Sequence, residues 1–310
     1  MRVSLCLLAA LACLSVTVAH AQSSGSAWAV DYDQFYRIDL SSHAATLIGK
    51  VGNGNQPIAD LSGLTATPDG TLYAASDTLK SLIRIDPATG KGSIVGNFGI
   101  DQSNSADPLD FGMAASCDGS LWLSSAVSGQ FWKVNPTSAK ATLIGSMGRT
   151  ITGLAVDHDT VYGVGGRGQE GWYSIDTDSG HAHLIGSLGS AVSYITSASP
   201  AINDQGEVWS VFNYVPLPNN QAPPPWSDLS RIDPTTGKAS LLGQVTGPAS
   251  LKDIGIRGFT LGAPACGAGT PAQNPVGAPS LAWWSRLLLA LALAGLGMLV
   301  LARRSAGMRG

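Results

Sequence analysis

The chain has little charge, almost no glutamate and few cysteines. Only 13% of its 310 residues are charged, and of its 21 acidic residues only Glu170 and Glu207 are glutamate. Outside the two ends, no stretch carries an amphipathic helical period. Acids that are nearly all aspartate belong to turns, where the short side chain bonds its own backbone. Basic residues are scarce as well. With both ends set aside, 13 basic residues face 21 acidic ones, a net charge of −8. That balance argues against a nucleic-acid partner, since phosphate binding needs a basic surface.

Motifs of common cofactor and catalytic sites are also lacking. The five histidines are His20, His43, His158, His181 and His183, and the last two alternate along one strand without a third ligand at metal spacing. No metal is assigned to them. No Ser/His/Asp arrangement or nucleophile elbow is visible. Gly163 to Gly168 matches GxGxxG, but a strand follows it where a dinucleotide site needs a helix. Asp176-Thr-Asp178-Ser-Gly180 and Asp157-His-Asp159 resemble calcium ligands, yet both align with turns elsewhere in the chain. Ca²⁺ therefore remains only a candidate cofactor.

What is present begins at the ends. Arg2, an apolar run from Val3 to Val18 and Ala19-His20-Ala21 before Gln22 form a secretory signal peptide over 1–21. At the other end, about 22 residues from Leu281 to Ala302 suffice to span a ~30 Å hydrocarbon layer. Trp283 and Trp284 sit at the interface. Arg303 and Arg304 follow the run, which places the C-terminus in the cytoplasm. The expected localisation is export, with an inner-membrane hold at the C-terminus.

Between the ends the chain repeats itself. FYRIDLSSHAATLIG from Phe35, LIRIDPATGKGSIVG from Leu82, FWKVNPTSAKATLIG from Phe131, WYSIDTDSGHAHLIG from Trp172 and LSRIDPTTGKASLLG from Leu229 each read strand, turn, strand. A second strand-turn-strand module precedes most of them, as in GLTATPDGTLYAAS from Gly63. Four short strands per repeat is the blade of a β-propeller. The domain starts on a second strand and ends on Gly258-Phe259-Thr260, which matches Gly63-Leu64-Thr65. The last strand is thus expected to complete the first blade. The reading is an all-β, five-bladed propeller over 26–262, with six blades as the alternative, a Pro/Gly/Ala-rich stalk over 263–277 and a sorting tail with a transmembrane helix over 278–310. The repeats resemble YVTN-type and quinoprotein-like secreted propellers, a resemblance specific for fold and not for function.

Blade topology puts the turns within strand pairs on one face and the longer, varied loops on the other. Binding is expected on the loop face. Its candidate ligand residues are Arg167 and Glu170 in GGRGQEG, and Tyr214 and Trp226 flanking a proline-rich insertion. Asp60 and Asp110 end adjacent loops before innermost strands, and paired rim carboxylates could bind a cation or act as acid and base. Five-bladed glycoside hydrolases place carboxylates around the channel, and the innermost strands here lack a matching set. After the signal peptide, Cys117 and Cys266 remain, in an oxidising compartment, both expected on the turn face. A disulfide between them would tie the stalk to the ring. The leading functional reading is a binding protein for an extracytoplasmic glycan or protein. A hydrolase or lactonase using Asp60 and Asp110, and a structural spacer, are the rivals.

The tail resembles the IPTL-CTERM sorting signal. Pro279, Ser280, Leu281 and Trp284 stand in register with its motif, ahead of the apolar run and Arg303-Arg304, while Ala278 replaces the isoleucine. The resemblance implies an exosortase-like transpeptidase as partner and transfer to the cell envelope. A plain membrane anchor is the alternative.

Overall fold

The computed structural model describes residues 25–52, 58–100, 109–192, 194–214, 227–248, 255–264 and 266. Residues Trp226, Pro279, Ser280, Leu281, Trp284, Arg303 and Arg304 lie outside this set, as does the apolar run. Among the described residues no helix is long and apolar enough to cross a membrane.

The alternating apolar segments form strands, as their period of two dictates. The first three are β1 (Ser26–Asp31), β2 (Gln34–Asp39) and β3 (Ala45–Lys50). The second blade holds β4 (Leu61–Ala66), β5 (Leu72–Ser76), β6 (Ser81–Ile85) and β7 (Gly92–Asn97). The third holds β8 (Phe111–Ala115), β9 (Leu121–Ser125), β10 (Gln130–Val134) and β11 (Ala141–Ser146). The fourth holds β12 (Ile151–Asp157), β13 (Thr160–Gly165), β14 (Gly171–Ile175) and β15 (Ala182–Ser187). The fifth holds β16 (Ile195–Ile202), β17 (Val208–Tyr214), β18 (Ser227–Ile232) and β19 (Ala239–Gln244). The last strand, β20 (Gly258–Thr260), pairs antiparallel with β1, with Ala29 opposite Phe259. The first blade therefore runs β20-β1-β2-β3, the closure expected from the sequence.

Five sheets make the ring, and every junction uses the same bond. The first amide of an outermost strand donates to a carbonyl just past the outermost strand of the preceding blade. The pairs are Gly92 to Gly52 (3.2 Å), Ala141 to Phe98 (2.9 Å), Ala182 to Met147 (3.1 Å), Ala239 to Leu188 (2.9 Å) and, across the seam, Ala45 to Thr246 (2.6 Å). The seam is packed like the rest. Ala27, Tyr36 and Ile38 of the first blade share one apolar cluster with Val211 and Leu229 of the fifth. Five closed junctions leave no place for a sixth blade.

The aspartate bias has the expected cause. Asp39, Asp86, Asn135, Asp176 and Asp233 occupy one position in five blades. In each, the side-chain oxygen accepts backbone amides two or three residues on. Asp176, in the calcium-like stretch, is one of these turn acids. The glycine of the repeated LIG ending has a steric cause. A side chain at Gly145 would collide with the Ser179 carbonyl, and one at Gly186 with that of Thr236, because each outermost strand rides on the next blade's turn.

Small residues on the innermost strands let the ring close tightly. A Cβ at Gly153 would strike the carbonyl of Ala198 and come within 2.7 Å of Pro200 Cδ. What remains at the turn-face end of the channel is a cavity of about 30 Å³, lined by Leu64, Met113, Leu154, Ile202 and Pro264. It has room for about one or two waters. Gly153→Val is expected to lower unfolding free energy by about 2–3 kcal/mol through overpacking. A chemical-denaturation midpoint equal to that of the unchanged protein would show that the channel has slack.

Cys117, in the β8–β9 turn, and Cys266 are joined by a disulfide with Cα atoms 5.5 Å apart. Gly262 and Pro264 lie against the channel between β20 and this bond. The chain leaving β20 therefore crosses the turn-face mouth and is fastened to the third blade.

Candidate functional site

The opposite mouth, on the loop face, gathers charge from four blades. Arg257 immediately precedes β20. Its Nη1 donates to Asp60 Oδ1, and its Nη2 to Asp77 Oδ2 at 2.7 Å and Asp110 Oδ1 at 2.8 Å. Arg167 donates through Nη2 to the other oxygen of Asp110, and through Nε to the Thr196 carbonyl at 3.1 Å. The Thr78 hydroxyl donates to Asp60 Oδ2 at 2.8 Å. Ser62 Oγ and the Phe111 amide both donate to Asp77 Oδ1 at 3.1 Å. The Arg257 guanidinium also lies over the Tyr32 ring, 5.0 Å from its centroid. Tyr32 is 46% exposed, and Asp60, Asp110 and Arg167 are part-exposed, so the assembly faces solvent.

Backbone strain collects at this mouth. Tyr32, Asp60, Asp110 and Arg167 all have left-handed φ, between 43° and 59°. Side chains other than glycine rarely adopt it. Asp60 and Asp110 hold equivalent places before β4 and β8, and this bend aims both carboxylates inward at Arg257.

Burial and charge compete in this cluster. Asp77 is fully buried, and burial pushes its carboxyl up to about 6, Arg257 pulling it down and Asp110 and Asp60 pushing it up. Burial works against the charge of Arg257, but Asp77, Asp60 and Asp110 together outweigh it and hold the guanidinium protonated. Asp31, at the end of β1, is the exception. It is 1% exposed, and neither of its oxygens has a hydrogen-bond partner among the described residues. Burial pushes it up to about 7, opposed by Arg257 and assisted by Asp33. Ser76 and Ser125 end β5 and β9 as Asp31 ends β1, and their hydroxyls donate to the Ala59 and Leu109 carbonyls.

Asp31 makes stability depend on pH with a defined sign. Below about pH 4 it is protonated folded and unfolded. Above that, the unfolded chain releases the proton while the folded chain keeps it to about 7. Its contribution to stability therefore falls as pH rises through this window and is flat above it. Asp31→Asn is expected to raise stability at pH 8 by on the order of 3 kcal/mol and to leave it nearly unchanged at pH 4. Equal shifts at both pH values would contradict the assignment.

The residues expected to bind separate into groups. Asp60, Asp110 and Arg167 come together. Glu170 lies nearby, but its Oε1 accepts the Gly168 amide at 2.9 Å and the Ile195 amide at 3.3 Å, which shapes the loop. Tyr214 is placed differently from the expectation of a contact arm. It ends β17, buried in an apolar cluster with Trp172 and Phe212, and burial raises its phenol. Asp77, Arg257, Tyr32 and Asp31 were not legible as site residues. The one available signal was Arg257 in IRGFTLG, a lone cation just before an innermost strand. Among the described residues no group of three or more His, Cys, Asp or Glu side chains could hold a metal ion. At the mouth a guanidinium supplies the positive charge.

Comparison with known families finds no match, and comparison with curated proteins finds none. Solved structures do match. One is a structural-genomics protein of unknown function from Bacteroides thetaiotaomicron, 13% identical, with a TM-score of 0.45 over 60% of this chain and 53% of that one. The chain thus spans about half the length of that protein. Another is a chain of a nidogen–laminin complex, 9% identical, with a TM-score of 0.49 over 78% of this chain and 99% of that one. The propeller assignment rests on the strand order and the five junctions.

Proposed function

We infer that the protein is an exported, envelope-associated propeller that binds an extracytoplasmic ligand, a glycan or a protein, through its loop face. One observation carries this reading. Charged side chains from four blades converge at the loop-face mouth, Asp60, Asp110 and Arg167 among them on left-handed backbone and part-exposed, while the segment fixed by Cys266 lies across the other mouth. The disulfide supports export, because such bonds persist in oxidising compartments. The signal peptide and the tail support it from the sequence. The sorting motif Pro279, Ser280, Leu281 and Trp284 would engage an exosortase-like transpeptidase, with Arg303 and Arg304 retaining the tail in the inner membrane until cleavage.

The hydrolase reading draws less support. Asp60 and Asp110 each accept from Arg257, and their other oxygens accept from Thr78 and Arg167, so every carboxylate oxygen of the pair is already engaged. The test uses protein recovered from the envelope on glycan and envelope-protein arrays. Arg167→Ala and Tyr32→Ala are expected to abolish capture of the loop-face ligand while the melting temperature holds. Binding untouched by both would remove the loop face from the account. An antibody to the C-terminal tail distinguishes an anchored from a sorted protein, by retention or loss of the epitope in the envelope fraction.

A further inference from the structure

The first blade is the one blade whose two inner strands are not joined by a turn. β20 leaves at Leu261 and β1 enters at Gly25, so among the described residues no hairpin fills the turn-face position that one fills in the other blades. A cleft of about 320 Å³ occupies this gap, between Gly25, Leu261 and the β16–β17 turn of the fifth blade. That volume lies at the lower end of ~300–1,000 Å³ small-molecule sites. It suits a compact ligand and not a macromolecule.

The chemistry of the walls narrows the ligand class. Leu40, Leu261 and Trp209 line the cleft as partly buried apolar groups. The Trp209 ring is fixed by a chain of polar contacts. Arg231 stacks on it at 4.5 Å, Glu207 holds Arg231 at 2.6 Å, and Asn203 donates to Glu207 at 2.8 Å. Asp204 and Gln205 stand exposed on the rim, and neither side chain has a partner among the described residues. Among the described residues the two nearby cations are both engaged, Arg231 by Trp209 and Glu207 and Arg37 by the Ser26 hydroxyl of the cleft wall at 3.1 Å, and the acids present would repel an anion. An aromatic floor with a rim of carboxylate and amide groups matches a pyranose, whose ring face carries C–H groups and whose edge carries hydroxyls.

We propose that this seam cleft is a binding site for a neutral saccharide, stacked on Trp209 and hydrogen-bonded by Asp204 and Gln205. The site is separate from the loop face and does not rest on the reading given above. A sugar seated there bridges the fifth blade to the segments that enter β1 and leave β20, and so stabilises the closed ring in proportion to its occupancy.

The test is saturation-transfer NMR on the full-length protein with maltose, cellobiose and N,N′-diacetylchitobiose as probes. Transfer to at least one is expected, with a rise in melting temperature at saturating sugar. The Asp204→Ala/Gln205→Ala double variant, confined to an exposed turn, is expected to weaken binding about tenfold or more at an unchanged unliganded melting temperature. Trp209→Ala should abolish transfer. No transfer to any of the three probes would overturn the proposal. So would an affinity unchanged in both the double variant and Trp209→Ala.

Discussion

Arg257→Ala is expected to destabilise the protein by about 3–5 kcal/mol, the cost of leaving buried carboxylates without their cation. Arg257 is shared by Asp60, Asp77 and Asp110, and Asp77 is fully buried. The loss should depend on pH. Asp77 is already pushed up to about 6 with Arg257 in place, and without it the proton is held to higher pH still. Near pH 5 Asp77 is then neutral and the penalty is small; near pH 8 it is large. Arg257→Lys should recover only part of the loss, because an ammonium on a flexible stem cannot match a planar fork that reaches three carboxylates. Urea titrations of the three proteins at both pH values read this directly. A cost that does not vary with pH would mean that Asp77 is not the group left exposed to the loss.

The second large effect concerns the other end of the same strand. Cys117→Ser or Cys266→Ser is expected to cost about 2–5 kcal/mol. The bond closes a loop with a sequence separation of 149 residues. The damage should also be local. β20 pairs with β1 through three residues, whereas Cys117 sits in a turn of an intact four-stranded sheet. The disulfide therefore moves the point of attachment of the C-terminal segment from a three-residue strand to a complete blade. Without it, fraying at Leu261 and beyond reaches β20 first. Limited proteolysis of Cys266→Ser should cut near the end of β20 before any other blade opens. Cleavage spread evenly over the ring would contradict this order.

Together these effects define how the ring is closed. A single short strand is held on the loop face by Arg257 and on the turn face by Cys266. Both fastenings end on blades other than its own, which locks the seam more firmly than three residues of pairing could.

The fold was largely legible because a propeller repeats. The five hairpins, the aspartates of their turns and the match of Gly258-Phe259-Thr260 to Gly63-Leu64-Thr65 are local signals, each decided within a few residues. The site was legible only in part, for the opposite reason. Asp60 and Asp110 stood out because they end aligned loops. Asp77 did not, since it lies just past a second strand, where the other blades place unrelated residues. Arg257 is 180 residues from Asp77 and 197 from Asp60, and nothing local in the sequence announces that ring closure brings them together. Tyr214 shows the converse error: an aromatic residue beside a long insertion suggested a contact arm, but its position ends a strand and is buried. The seam cleft had no sequence signal at all, because it lies where β1 and β20, more than 200 residues apart, are brought side by side.

The most direct test of the account is native-state amide hydrogen exchange at Phe259, compared with the inner-strand amides of β8 and β12. In the oxidised protein Phe259 should be protected to the same degree as those strands. In Arg257→Ala, and separately after reduction of the disulfide, it should exchange far faster while β8 and β12 keep their protection. Phe259 exchanging rapidly in the oxidised, unmutated protein would contradict a ring closed by β20.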